Sequence, residues 1–159
     1  MKPKLIIMVG NVGSGKSTCV KKLVKKGYVV VSKDGVRYSI GSGKYIFDMS
    51  LEKSIHKSTL TLCEGFLAVG KSVIIDETNM NKKIRKCYLR LANLYNYTKE
   101  AVIMPKLPMK ESVKRRLKSN HGNTPKKVWE EVFQRKQDAY EKPTIKEGFD
   151  IIVELKNEV

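Results

Sequence analysis

Residues 10–17, Gly10-Asn11-Val12-Gly13-Ser14-Gly15-Lys16-Ser17, satisfy the pattern G-x-x-x-x-G-K-[ST] at every fixed position. The pattern sits where it has physical meaning. Residues 5–9 before it form an unbroken apolar run, as a strand buried on both faces requires. Residues 17–26 after it are helix-compatible, with Val20, Leu23 and Val24 on one stripe and Gly27 as the stop. A strand, a glycine loop and a helix in that order make an anion cradle. The glycines allow positive φ and leave room for a phosphate, while successive N–H groups and the helix N-terminus point at it. Lys16 can reach β- and γ-phosphates, and the Ser17 hydroxyl can ligate Mg²⁺, a hard ion that prefers oxygen. Gly10, Asn11, Val12, Gly13, Ser14, Gly15, Lys16, Ser17 and Thr18 are therefore the candidate nucleotide-binding residues, with ATP and Mg²⁺ as expected cofactors. A chance glycine-rich turn would lack the flanking strand and helix.

The rest of the chain alternates in the same way. Residues 28–31 are a second β-branched run, followed by a loop-rich stretch around Gly35, Gly41 and Gly43 up to about residue 48. A longer helix is predicted over 51–69, where Ile55, Leu62, Phe66 and Val69 recur at helical spacing. Residues 73–76 are a buried strand ending in an acid, and Ile84, Tyr88, Leu91 and Leu94 or Tyr95 mark the next helix. Residues 101–104 read as a strand that Pro105 ends. Met109, Val113 and Leu117 stripe a basic helix, Thr124-Pro125 opens another running to about Tyr140, and 149–155 form a last strand. Strands alternating with helices predict an α/β fold with a mostly parallel sheet. With 159 residues, no repeat and no linker, residues 1–159 are expected to form one domain.

Charge adds a partner class. Thirty-two Lys+Arg against sixteen Asp+Glu give a formal net charge of +16, which concentrates polyanions near the surface, although lysine-rich solvated faces alone would give the same count. Cys19, Cys63 and Cys87 are scattered and odd in number, and His56 and His121 stand alone, so neither a disulfide framework nor a zinc site is expected. The apolar run at the N-terminus is too short for a secretory h-region or a membrane span, and the expected address is cytoplasmic.

Two further segments carry acids at predicted strand ends. Asp76 closes an apolar strand, where a carboxylate can orient magnesium-bound water or hold Ser17. Thr78 and Asn79 follow on the same loop, at the sheet edge where ligands bind, and suit hydrogen bonds to a substrate phosphate or ribose; alternatively they cap the next helix. Asp34 can accept the proton of an attacking hydroxyl, and Arg37 three residues on can grip a phosphate with its planar fork. The two could instead form only a local ion pair.

Together, residues 10–18, Ser32-Lys33-Asp34-Gly35-Val36-Arg37, Asp76-Glu77-Thr78-Asn79 and the basic helix before Thr124-Pro125 resemble the kinase domain of bacteriophage-type polynucleotide 5′-hydroxyl kinases. The similarity runs in order to about Tyr140, and D-x-x-R combined with D-x-T-N is far narrower than the glycine loop. It implies an adenylate-kinase-like P-loop fold, a parallel sheet flanked by helices, with a helical lid at about 109–128. It implies that Asp34 is the general base, with Lys16 and Arg37 completing the catalytic set. Arg37, Thr78 and Asn79 would bind the acceptor, and Ser17 and Asp76 would serve the metal. Within these 159 residues no phosphatase domain of the kind that some members carry is expected. One departure concerns the lid: members bear two arginines four residues apart, and here Arg115 is followed by Ser119. Arg116 or Lys118 substitutes, or the lid is built differently, or transfer is slow.

Three readings follow. The first is a kinase for the 5′-hydroxyl of DNA or RNA; the second is a kinase for a nucleoside, nucleotide or sugar; the third is a nucleic-acid-binding module with a weakly catalytic nucleotide site. Oligomeric state is not legible, and no membrane partner is expected.

Overall fold

The computed structural model describes residues 1–119 and 123–157, and its centre is one sheet of parallel strands. In chain order these are β1 (Lys4–Val9), β2 (Val29–Val31), β3 (Val73–Ile75), β4 (Thr98–Ile103) and β5 (Ile151–Glu154). Across the sheet the order is β2-β3-β1-β4-β5. β1 is central, with Leu5 and Ile7 facing Val73 and Ile75 on one side and Lys99 and Ala101 on the other.

The apolar run of β1 is unbroken because both its faces are covered. Leu5, Ile7 and Val9 join Cys63, Leu67, Tyr88 and Ala92 in one core, under α3 (Glu52–Ala68) and α4 (Lys82–Leu94). Ile6 and Met8 turn the other way and pack with Val20 of α1 (Lys16–Val24), Ile74 and Val102. Two-residue alternation thus sorts one hydrophobic segment into two cores. After β1 the chain crosses to β2, returns to β3, then passes β1 to reach β4. Ligands of open α/β sheets bind at such a reversal, outside the carboxyl ends of the strands.

The structure corrects three sequence expectations. Where a loop-rich stretch was predicted there is a helix, α2 (Lys33–Ile40), started by Ser32, whose hydroxyl oxygen accepts the Gly35 amide at 2.9 Å. The cap outweighs the low helix propensity of a glycine in the first turn. On α3 the buried stripe is Ile55, Thr59, Cys63 and Leu67, while Leu62 and Val69 are exposed. On α4 it is Arg85, Tyr88, Leu89 and Ala92, with Leu94 exposed. In both helices a polar residue, Thr59 or Arg85, occupies a core position, so an apolar stripe that keeps Ile55 and Tyr88 but adds Leu62, Val69 and Leu94 lies rotated from the buried face.

Two more helices, α5 (Met109–Lys118) and α6 (Lys126–Asp138), form a satellite core from Val113, Trp129 and Phe133, with Val12 of the glycine loop packed against it. His121 and residues 120–122 of the expected lid lie outside the described residues. Among the described residues no helix is long and apolar enough to cross a membrane.

Candidate active site

The glycine loop leaves β1 at Gly10, whose amide donates to the Thr78 carbonyl at 3.0 Å. Gly13 and Gly15 have φ of 68° and 92°, which other residues rarely adopt. A β-carbon at Gly13 would overlap the Ser112 carbonyl, so α5 seats directly on the loop. Asn11 clamps the other side: its Oδ1 accepts the Val12 amide at 2.8 Å, and its Nδ2 donates to the Phe133 carbonyl at 3.0 Å and to Gln137 Oε1 at 3.3 Å. α1 then begins with no side-chain cap and no acid in its first turn, and Ser17 and Thr18 are exposed there. Backbone donors and a hydroxyl are thus presented where an anion and a hard cation would sit, and the loop fits a triphosphate with its metal.

Lys16 Nζ donates to the carbonyls of Gly10 at 2.7 Å and Asn11 at 2.8 Å. Burial pushes its ammonium down to about 8, Asp76 pulls back, and the charges of Arg116 and Lys136 add to the depression. Asp76 follows β3, its amide held by the Val31 carbonyl at 3.0 Å. Burial raises its carboxyl, Lys16 lowers it, and the charge of Asp34 raises it again. Lys16 at the start of α1, Asp34 in the first turn of α2 and Asp76 just after β3 therefore lie close enough for their charges to act on one another.

Helix α2 places Asp34 and Arg37 one turn apart. Arg37 Nη1 donates to Asp34 Oδ1 at 2.9 Å and Nη2 to Glu52 Oε1 at 2.6 Å. The arginine side chain is 8% exposed, the aspartate 42%. Burial works against the arginine's charge, but the Glu52 hydrogen bond and the neighbouring carboxylates outweigh it and raise its pKa. Its guanidinium carbon also lies 5.9 Å from the Tyr45 ring centroid and 5.6 Å from that of Phe47. The Tyr45 hydroxyl is hydrogen-bonded to Asp34, and burial together with that carboxylate raises the phenol. Asp34 is thus oriented by two donors while keeping an open side.

On α5, Arg115 is exposed and its Nε donates to Glu111 Oε1 at 3.0 Å. Lys118 is exposed. Arg115 Nη1 nevertheless comes within 3.9 Å of where a β-carbon on Gly15 would stand, beside the glycine loop. Arg116 lies over the Trp129 ring at 4.5 Å, and its charge bears on both Lys16 and Tyr45.

Thr78 is half-buried where its carbonyl takes the Gly10 amide, but Asn79 does not reach the surface there. Asn79 is 1% exposed, with φ of 48°, and its Nδ2 donates to the Met8 carbonyl at 2.7 Å. It braces the floor of the cleft rather than facing a substrate. Its neighbour in that floor is Arg85, fully buried, which donates to the carbonyls of Asn79 and Glu141 at 2.8 Å each and pairs with Glu147 at 2.6 Å.

Sequence reasoning missed Tyr45, Phe47, Glu52, Trp129 and Lys136. Lys136 is lowered first by burial and then by Arg135 and Lys33, and its charge reaches Lys16. Trp129, Phe133 and Lys136 fall at i, i+4 and i+7, a helical face that could have been noticed. A hollow of about 580 Å³ runs along α3 past Lys57, Leu62 and Val69, and none of these site residues lines it.

A family model described as AAA domain matches residues 5–143. Over 108 residues the chain is 32% identical to a protein of Acanthamoeba polyphaga mimivirus named as a bifunctional polynucleotide phosphatase/kinase, covering 67% of this chain and 22% of that one. Among solved structures, a chain of the Pnkp1/Rnl/Hen1 RNA repair complex superposes with a TM-score of 0.69 at 27% identity, covering 94% of this chain and 47% of that one. The APS kinase CysC of Mycobacterium tuberculosis shares the fold alone, with a TM-score of 0.59 at 17% identity over 99% of this chain and 91% of that one. The chain spans 22% of the mimivirus relative's length. The fold is that of the P-loop kinases, a parallel sheet flanked by helices.

Proposed function

Since this chain belongs to the AAA domain family, we propose that it transfers the γ-phosphate of ATP to the 5′-hydroxyl of a DNA or RNA strand. The observation that carries the reading is the position of Asp34, held by Arg37 and Tyr45 and electrostatically coupled to Lys16 and Asp76 across the cleft. The names of the mimivirus relative and of the RNA repair complex support a nucleic-acid acceptor. So does the net charge of +16, which a small-molecule acceptor would not require.

Each residue then has a task. Residues 10–18 wrap the phosphates with backbone N–H groups. Lys16 exchanges its carbonyl partners for phosphate oxygens. Ser17 and Asp76 supply oxygen donors on the metal's side, where bound Mg²⁺ would neutralise charge on the β- and γ-phosphates. Asp34 takes the proton of the acceptor hydroxyl as the oxygen attacks in line. Arg37 orients that carboxylate, and because its two ion pairs take one N–H each of five, it keeps donors, the unpartnered Nε–H among them, for an acceptor phosphate. Thr78 remains the loop residue open to the acceptor. The segment 109–128 acts as the lid and brings two arginines to the loop: Arg116, whose charge bears on Lys16, and Arg115, whose Nη1 stands beside Gly15. Residues 1–159 work as one kinase unit. The free thiols of Cys19, Cys63 and Cys87 fit a reducing, cytoplasmic setting.

Incubation with γ-labelled ATP and either 5′-hydroxyl oligonucleotides or nucleosides and sugars tests this directly. Label on the oligonucleotide is expected, with affinity falling steeply as salt rises. Label on small acceptors alone makes the chain a small-molecule kinase, and oligonucleotide binding without label makes it a binding module.

A further inference from the structure

We propose that Phe47 is the stacking platform for the terminal nucleobase of the acceptor strand, an assignment that rests on the polynucleotide kinase reading. The Phe47 ring is 60% exposed, although a large apolar side chain gains by burial. It is not a loose loop residue. Arg37 lies against it and also holds Asp34, so only one guanidinium separates the ring from the general base.

The segment carrying Phe47 is fixed at both ends. On one side Gly43 donates to the Tyr38 carbonyl at 2.9 Å and Lys44 to the Gly41 carbonyl at 3.1 Å. Gly41 packs so closely that a β-carbon there would overlap the Lys44 carbonyl. On the other side Asp48 Oδ1 accepts the Ser50 amide at 2.9 Å and the Ser50 hydroxyl at 2.7 Å, closing a single turn of 3-10 helix. The ring is therefore presented in a set position.

The chemistry selects a nucleobase as its occupant. A 5′-hydroxyl is joined to its own base through a single ribose, so an acceptor with its hydroxyl at Asp34 brings that base within one sugar of the carboxylate. An aromatic face tolerates any base, and a neighbouring guanidinium strengthens the stack. Arg37, which lies against the ring, is charged, and it also holds the carboxylates of Asp34 and Glu52. That suits a polar, planar ligand flanked by phosphate better than an apolar protein surface.

The test uses the full chain and two 5′-hydroxyl oligonucleotides that differ only in whether the first nucleotide carries a base or is abasic. Wild type is expected to show a KM about tenfold higher for the abasic acceptor, within the range for loss of one base–aromatic stack. Phe47→Leu, which keeps an apolar side chain against Arg37, raises KM for the normal acceptor about tenfold and leaves KM for the abasic one unchanged. Phe47→Trp restores the wild-type difference, and KM for ATP moves in neither variant. Equal KM values for the two acceptors with wild type, or equal losses on both with Phe47→Leu, overturn the platform and leave the kinase reading intact. No transfer by wild type to either oligonucleotide overturns the kinase reading and the platform with it.

Discussion

The guanidinium carbon of Arg116 lies 4.5 Å from the centroid of the Trp129 ring, joining the end of α5 to the start of α6. The contact fixes one arginine of a strongly basic helix, while Arg115, next to it, pairs through Nε with Glu111 and holds its Nη1 beside Gly15. Arg116→Ala is expected to lower kcat by roughly 10³-fold, the lower end of what an arginine on a transferring phosphate contributes. Arg115→Ala, which removes the guanidinium beside Gly15, is expected to cost less than Arg116→Ala, which removes the charge that bears on Lys16. Steady-state kinetics on both variants decides the assignment, and a larger loss for Arg115→Ala reverses it.

Lys16 gives the site a pH signature. In the free protein its ammonium is pushed from an ordinary 10.5 down to about 8, chiefly by burial. Above that pH the loop progressively loses the charge that meets the phosphates, so kcat/KM for ATP should fall as pH rises through about 8. Bound phosphates favour the charged form, so kcat should hold to higher pH. The stability effect has the opposite sign. Between about 8 and 10.5 the unfolded chain keeps a proton that the folded chain has lost, so this group makes stability rise with pH. Parallel pH profiles of kcat/KM and kcat check the first part; coincident profiles would contradict it.

The floor of the cleft depends on a buried ion pair. Arg85 is 0% exposed and Glu147 5%, and the arginine also satisfies two backbone carbonyls. Removing one partner leaves an uncompensated buried charge, so Arg85→Ala or Glu147→Ala should each destabilise the fold by about 3–5 kcal/mol. Denaturant unfolding measures this. A loss below about 1 kcal/mol would mean that the pair carries little of the fold's stability.

Much of the site was legible because its residue types are forced by local backbone chemistry. Glycines at positive φ, a lysine, a hydroxyl at the helix start and acids at strand ends can be recognised without a fold. The sheet was legible for the same reason, since a strand covered on both faces is apolar throughout. What stayed hidden depends on through-space pairing. Asn79 and Arg85 are polar in sequence and buried in structure, because the backbone carbonyls they serve belong to other segments. Nothing in the sequence marks Glu52, fifteen residues on from Arg37, as the partner of its second arm. Phe47 and Trp129 were invisible as site residues because an aromatic carries no sign of which cation will lie against it.

The account stands on Asp34 as the group that takes the acceptor's proton. Single-turnover transfer from γ-labelled ATP to a 5′-hydroxyl oligonucleotide, run alongside equilibrium ATP binding, tests it on Asp34→Asn. The predicted result is a loss of transfer of at least roughly 10²-fold, as expected when a positioned base is removed, with ATP affinity close to wild type. Near-normal turnover by Asp34→Asn would contradict the assignment.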